Sequence, residues 1–424
     1  MKTDHLEKLR RLKRSFEANL TFRKTVILVC CGLVFLVYFG PSFLSWLFGY
    51  HTRIRSKLIL KICKHKVIYL STVSGSSCVN DKIIQHSTDL AAFNAHVQHR
   101  PFPISGDSDF LPYVGNGLFG LSLSDISQEL FISTQSSSRT LTVPVSFKPL
   151  ITVKNDLDLD SKSAKVVNYV KGLIHDVTCY DDGLEGSSGD ISISRQIYAH
   201  RTIPEVLVQE IRITNPTGAD QLFQLERLGI SNWKSASSSE KIIEHGDGNK
   251  KYTVISGLVS VPSDSPLSSS LLINTKEVMM VAIVVPEIDE NLSVKARMTH
   301  TMTFLSSISY SKPMQSESLA KELRQKIEDE AVNGILQAAA KSSQSLREEH
   351  FKTWRSLWTT GFGISHSMAE EAVNGGQVNA TIYYVLSQTP TPLHSAKPVD
   401  QSRKAELQSY LAYLEGCYGG LPTL

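Results

Sequence analysis

No Cys-x-x-Cys pair occurs in these 424 residues, and only six cysteines occur at all. A paired-cysteine zinc site is therefore not indicated. The signatures G-x-S-x-G, H-E-x-x-H and the phosphate-binding loop are missing as well. That removes the nucleophile elbow, the zincin helix and the P-loop from the chemistries to consider. Charge is missing most conspicuously from Thr25 to Thr52, where no Lys, Arg, Asp or Glu interrupts the chain. An ordinary core helix rarely stays uncharged for so long.

The apolar part of that stretch, Val26 to Phe48, reads VILVCCGLVFLVYFGPSFLSWLF. As a helix it would be roughly 35 Å long, enough to cross a hydrocarbon core of about 30 Å with some tilt. Gly40-Pro41 would kink it, which membrane helices tolerate. An uncleaved signal-anchor is expected; a cleaved signal peptide is the alternative, although no clean small-x-small site follows the run. Eight Lys/Arg precede it and six follow closely, so the positive-inside rule places the N-terminus in the cytosol by a narrow margin. The rest of the chain would then be lumenal, in the endoplasmic reticulum or Golgi.

Charge is divided along the chain. Residues 1–66 hold 14 Lys/Arg against three acids, a net of +11; with +3 for the whole chain, residues 67–424 carry −8. A nucleic-acid partner is not expected for the main domain. The basic part suits anionic lipid, and Leu6, Leu9, Leu12, Phe16 and Leu20 give it a near-helical apolar stripe. The lipid bilayer is thus the first expected partner. Cys63, Cys78, Cys179 and Cys417 are scattered; one or two disulfides fit a lumenal domain, with the pairing open.

Residues 49–107 read as a stem, with a small polar tether from Thr72 to Asp81. From about Phe110 the pattern is β. Ile191–Ala199 (ISISRQIYA) and Val206–Thr214 (VLVQEIRIT) alternate with period two, and Asn215-Pro216-Thr217-Gly218 is a strong turn. Thr140–Val153, Lys165–Ile174, Val278–Val285 and Leu292–Phe304 are further strand runs, while Ser235–Ser239 and Ser263–Ser270 read as loops. Some twelve strands at hairpin spacing predict a large antiparallel β-sandwich over 108–312. Past Pro313 the period becomes helical: Leu319, Leu323, Ile327, Ala331, Ile335 and Ala339 share a stripe within Glu317–Trp358. Helices are also expected over Met368–Leu386 and Arg403–Leu414. The expected division is 1–25 basic cytosolic segment, 26–48 anchor, 49–107 stem, 108–312 sandwich and 313–424 helices.

Several stretches invite a chemical reading. Gly115-Asn116-Gly117-Leu118-Phe119-Gly120 spells G-x-G-x-x-G, but β-like residues follow where a dinucleotide site needs a helix. A glycine turn opening a strand is the better reading. Asp156, Asp158 and Asp160 alternate like part of a calcium loop, yet Ser161 and Val167 stand where Gly and Glu are needed. Asp181, Asp182 and Glu185 are a conceivable carboxylate set in a glycine-rich loop, and nothing fixes their separation. His200-Arg201 and the helical trio His350, Trp354, Trp358 stand out most. The trio reads first as a helix face packed on a sheet and second as a sugar-stacking platform. No catalytic, cofactor or metal residue is assigned. Asn291-Leu292-Ser293 and Asn379-Ala380-Thr381 are glycan acceptors in a lumenal domain; Asn19 is one only in the opposite orientation, and Pro216 disqualifies Asn215.

Pro112-Tyr113-Val114-Gly115-Asn116-Gly117-Leu118-Phe119-Gly120 resembles the opening of the N-terminal β-domain of glycoside hydrolase family 65. Arg195-Gln196-Ile197-Tyr198-Ala199-His200-Arg201 resembles a later strand of it, and His350, Trp354, Leu357, Trp358 and Gly361-Phe362-Gly363-Ile364 resemble its linker helices. Ser194–Glu226 and Cys417-Tyr418-Gly419-Gly420 look like an uncharacterised animal single-pass membrane glycoprotein family. The resemblance implies an α+β, membrane-anchored chain whose last helices begin an incomplete (α/α)6 barrel. That barrel carries the hydrolase's catalytic residues, and the sequence stops at Leu424, so none is carried over. Two functions are expected in turn: a non-catalytic, membrane-tethered β-module binding a glycan or a protein, or a truncated hydrolase- or phosphorylase-like enzyme.

Overall fold

The computed structural model describes residues 77–100, 112–123, 130–136, 139–155, 161–180, 190–245, 248–261, 277–358 and 375–390. All lie in one unit spanning Gly75–Leu424. The expected anchor, Val26–Phe48, and the basic segment before it lie outside the described residues. Among the described residues no helix is long and apolar enough to cross a membrane.

In chain order the elements begin with α1 (Ser77–Ile84), α2 (Ser87–Ala91), β1 (Ala95–Arg100), β2 (Tyr113–Gly115) and β3 (Phe119–Ser122). There follow β4 (Leu130–Ser136), β5 (Arg139–Val145), β6 (Phe147–Asn155), β7 (Ser161–Asn168), β8 (Leu173–Tyr180) and β9 (Ile191–Ala199). Next are β10 (Val206–Asn215), β11 (Gln221–Ile230), β12 (Ser237–His245), β13 (Gly248–Ser260), β14 (Val278–Pro286), β15 (Asn291–Val294) and β16 (Met298–Tyr310). The helices α3 (Glu317–Glu322), α4 (Arg324–Ala339), α5 (Ser343–Trp358) and α6 (Gly375–Gln388) close the series.

The organising element is a nine-stranded sheet in the order β1-β7-β8-β9-β10-β16-β14-β13-β12, antiparallel at every pairing. Its faces are sorted by residue parity, as a period-two strand requires. Met279, Val281, Ile283 and Val285 of β14 join Phe119, Leu121, Ile132 and Val143 of the four-stranded sheet β2-β3-β4-β5. The alternate residues Met280, Ala282 and Val284 join Ile327, Ala331, Ile335 and Ala338 of α4 on the opposite face. Further along the first face, Ile191, Ile193, Ile211 and Ile213 meet Phe223 and Leu225 of the three-stranded sheet β15-β11-β6. Two small sheets thus cover one side of the large sheet and helices cover the other. β14 is buried at all nine positions because both its faces are covered, which explains its continuous apolar run.

The mostly antiparallel β-domain agrees with the sequence reading, and several boundaries differ from it. The expected stem ending at 107 contributes β1, which pairs with β7 from Ala95↔Asn168 to Arg100↔Ser163. The expected tether ending at Asp81 instead becomes helical at Ser77 and is covalently held: Cys78 is disulfide-bonded to Cys179 across 101 residues. Closing a loop of that length stabilises a fold by about 3–5 kcal/mol. Ser237–Ser239, read as loop, opens the edge strand β12, where serines face solvent and the strand pairs with β13 alone. The Leu292–Phe304 run is two strands, parted where Arg297 takes φ 58°. The helical stretch Glu317–Trp358 breaks at Leu323 and again after Ala339. Its expected stripe holds for Ile327, Ala331 and Ile335, whereas Leu319 is exposed. These helices share a core with the sheet, so the expected boundary at 312/313 separates no independent body among the described residues. The expected Arg403–Leu414 helix lies outside the described residues.

Candidate functional site

Three of the stretches singled out for chemistry, the glycine turn at Asn116, His200-Arg201 and the His350/Trp354 face, converge on one place, at the end of β9 under α5 and α6. Its first member is Asn116, in the turn between β2 and β3. Its side-chain oxygen accepts from the amides of Leu118 and Phe119, at 3.0 and 3.2 Å, an Asx-type turn. Gly117 takes φ +87°, and a Cβ there would lie 2.2 Å from Pro390 N, so glycine is required. The Asn116 amide donates to the carbonyls of His200 (3.0 Å) and Pro204 (2.7 Å). The G-x-G-x-x-G spelling is therefore a turn that pins two chain segments, and no helix follows it.

Arg201 is fully buried. Its guanidinium donates to the carbonyls of Asn116 (2.5 Å), Thr389 (2.9 Å) and Leu386, and lies 4.8 Å from the centre of the Trp354 ring. Two of those carbonyls belong to the C-terminal end of α6, where a cation complements the helix dipole. Burial pushes the Arg201 pKa down to about 9, still high enough to stay charged at neutral pH. A buried cation of this kind costs energy unless dipoles and hydrogen bonds surround it, and here they come from the main chain.

His200 is held at both ring nitrogens. Nδ1 accepts from the Ile203 amide at 3.0 Å, which assigns the proton to Nε2, and Nε2 donates to Leu346 O at 2.9 Å. Burial lowers its pKa to about 4, so it is neutral near pH 7. His350 lies on α5, with Tyr198 tilted against it (centroids 4.7 Å apart) and Trp354 stacked on it (6.1 Å). Its Nε2 lies 3.2 Å from Gly172 O, and Nδ1 is a buried atom without a hydrogen-bond partner. Burial, then the neighbouring His200, hold it well below the ordinary histidine range.

Trp354 completes the packing. Its indole N–H donates to Tyr169 O, and its ring meets Tyr383 at 5.5 Å between centroids. A Cβ at Gly172, where φ is +64°, would lie 2.4 Å from Trp354 Cδ2. His350 and Trp354 are both fully buried, so the sugar-stacking platform is corrected: these rings face the protein. Trp358 is half-buried against the same core. Above this hub, Arg347 of α5 forms a two-pronged ion pair with Glu210 of β10, at 3.1 and 2.6 Å. At the rim, burial works to raise the Glu349 carboxyl, but Lys341 at 2.6 Å and the neighbouring His200 and Ser345 outweigh it and hold it below its usual range.

Asn116, His200, Arg201, His350 and Trp354 stand out along the sequence, whereas Gly172, Tyr169, Tyr383 and the Glu210–Arg347 pair do not. Gly172, between Lys171 and Leu173, carried the only available signal, that of a tight turn. Asp156, Asp158, Asp160, Asp181, Asp182 and Glu185 lie outside the described residues, and no metal-holding group of His, Cys, Asp or Glu occurs among the described ones. The two acceptor asparagines lie elsewhere: Asn291 is exposed on β15, and Asn379 is half-buried within α6.

The chain is similar to several known proteins. The profile of a family described as an uncharacterized conserved protein, DUF2152, matches residues 12–424. A Xenopus laevis protein described as an uncharacterized KIAA2013 homolog is 25% identical over 310 residues, covering 72% of this chain and 47% of its own length. Its Xenopus tropicalis counterpart is 24% identical over 315 residues, covering 73% and 48%. This chain thus spans about half the length of these curated relatives. Among solved structures, a provisionally assigned kojibiose phosphorylase from the human microbiome aligns with 70% of this chain and 41% of its own, at 12% identity and a TM-score of 0.46.

Proposed function

This chain belongs to the DUF2152 family of uncharacterised conserved proteins, and on that premise we propose that it is a membrane-tethered protein of the secretory pathway whose β-domain binds a partner protein without transforming it. The observation that carries the reading is the use to which the hub puts its polar groups. Asn116, His200 and Arg201 are buried and hydrogen-bonded to main-chain carbonyls. Groups so occupied hold the fold together, and using them on a substrate would open it.

Two further features support the rest of the proposal. The Cys78–Cys179 bond suits an oxidising compartment, which agrees with a lumenal domain behind a Val26–Phe48 anchor. A partner protein is favoured over a glycan by the outward row of β11. Leu228 and Ile230 are 47% and 46% exposed there, whereas the Trp354, Tyr198 and Tyr383 rings of the hub are inside. Apolar side chains at the centre of a contact are what a protein partner rewards.

The test uses the full chain extracted from animal-cell membranes. No hydrolysis or phosphorolysis of a disaccharide panel is expected; turnover would overturn the reading in favour of a hydrolase-like enzyme. On native electrophoresis, the complex is expected to lose mass in a Leu228→Ser/Ile230→Ser double variant. An unchanged mass would remove the partner surface from the proposal.

A further inference from the structure

The two acceptor asparagines differ in what their amides are doing. Asn379 lies within α6, and its Nδ2 donates to Phe93 O at 3.0 Å and to Asn94 Oδ1 at 3.2 Å. The neighbouring Ala380 is buried, and the Thr381 hydroxyl is turned back to Gln377 O at 2.8 Å. A glycan on Asn379 would replace one amide hydrogen, break that contact and wedge a sugar between α6 and the turn that precedes β1. Asn215, already disqualified by Pro216, donates to the carbonyls of Ala219, Val294 and Lys295 at 2.8, 3.0 and 3.2 Å. Asn291 differs from both. It opens β15, the edge of the three-stranded sheet, and both Asn291 and Ser293 are exposed. Register pairs Asn291 with Gln224 and Ser293 with Leu222, all four on the outward face.

We infer that Asn291 is an N-glycosylation site and that Asn379 must stay unmodified for the domain to fold. The inference rests on the lumenal reading above. In the transfer, Asn291 Nδ2 bonds to the anomeric carbon of a polyprenyl-pyrophosphate-linked oligosaccharide. The anomeric C–O bond breaks, the lipid pyrophosphate leaves with the bonding electrons, and one amide proton is lost to a base of the transferase. The donor and the transferase are supplied by the lumenal compartment. The folded domain accommodates the product because the glycan projects from an exposed edge. It would lie beside Leu222, which is 64% exposed, and shield that end of the β11 row while leaving Leu228 and Ile230 open. An edge strand carrying a bulky polar group is also barred from pairing with another sheet.

The experiment expresses the full chain in animal cells, maps deglycosylated asparagines by mass spectrometry after peptide-N-glycosidase treatment in heavy-oxygen water, and counts free thiols by alkylation. The expected result is a glycan on Asn291 and none on Asn379. The glycosidase-sensitive mobility shift should be lost in both N291Q and S293A and retained in N379Q; S293A keeps the asparagine itself. A bare Asn291 in protein whose Cys78 and Cys179 are disulfide-bonded would overturn the inference and leave the compartment intact. A bare Asn291 with both thiols free would overturn the lumenal reading and the inference together. A glycan on Asn379 in secreted-pathway protein that resists proteolysis as the wild type does would overturn the second half.

Discussion

Between them, Asn116, His200 and Arg201 hold six main-chain carbonyls at the hub. On the three-stranded sheet, by contrast, Leu222, Leu228 and Ile230 face outward from β11. The first region is polar and sealed, and the second is apolar and open. This inverts the usual expectation that polar side chains mark where a protein meets its ligands. A buried polar group is stable only when its hydrogen bonds are made inside, so its presence in a sequence signals connection as readily as chemistry. The hub's partners come from β9, the β2–β3 turn, α5 and α6, and its work is to lock those segments together. On its exposed side the outer sheet carries the solvent-facing Lys154–Glu226 ion pair, an interaction worth little to stability, so substitutions there should be read in binding rather than in stability.

The largest effect expected from this contrast is at Arg201. Arg201→Met keeps much of the volume but removes the guanidinium donor from the carbonyls of Asn116 and Thr389 and leaves that of Leu386 with the Thr389 amide alone. A loss of about 3–5 kcal/mol is expected, as when one side of a buried charged network is removed. Urea unfolding followed by tryptophan fluorescence would report it. Arg201→Lys, with a point charge in place of a planar fork, should recover only part. An unfolding midpoint unchanged by either substitution would mean that the hub does not join these segments.

Acid comes next. His200 takes up a proton near pH 6.5 in the unfolded chain but only near pH 4 when folded. The unfolded state therefore binds more protons between those values, and stability must fall as pH drops through that window. Above pH 6.5 the contribution is constant, and below about pH 4 it levels off. One such group accounts for about 3 kcal/mol across the window. His175, lowered to about 3 by burial and then by the charge of His86, extends the loss further down. Unfolding midpoints measured from pH 7.5 to 4 should decline steeply, and His200→Gln should remove about one proton's worth of slope. A flat profile would contradict the neutral, buried state of these rings.

A smaller effect is expected one layer out. The Arg347 side chain is 35% exposed and that of Glu210 only 9%. Arg347→Ala leaves the Glu210 carboxylate facing the Tyr198 hydroxyl, at 3.4 Å. The expected cost is about 1–3 kcal/mol, reduced because solvent reaches the arginine side of the pair. Thermal unfolding would place this variant between Arg201→Met and wild type; a loss equal to that of Arg201→Met would move the boundary of the hub outward.

How much of this was legible along the chain depends on where the information sits. β9 and β10 were readable because one face is apolar and the alternation survives, and β14 because both faces are covered. β12 was not, because its serines lie at an edge where polar residues are acceptable, so a strand looked like a loop. The β7–β8 hairpin reads as one run through Lys165–Ile174, since its turn passes through Tyr169, which is buried under Trp354. Asn116, His200, Arg201, His350 and Trp354 each stand out along the chain, but their assembly does not. Arg201 meets Asn116 across 85 residues and Thr389 across 188, and no local pattern encodes such pairings. The Cys78–Cys179 pairing was open for the same reason.

The smallest expected effect on stability is the most informative about function. Leu228→Ser changes an exposed side chain on the outer face of β11, at the register irregularity between Arg227 and Gly229. No core contact is removed, so its unfolding midpoint should stay within about 0.5 kcal/mol of wild type. Exposed leucines occur singly on many proteins without meaning, and stability alone cannot distinguish that case from a docking surface. Pairing the two measurements can. A Leu228→Ser chain that unfolds like wild type but loses its complex on native electrophoresis would show a surface kept apolar for a partner. A chain that loses stability instead would show that the outer sheet is another part of the scaffold, and the contrast between the two regions would disappear.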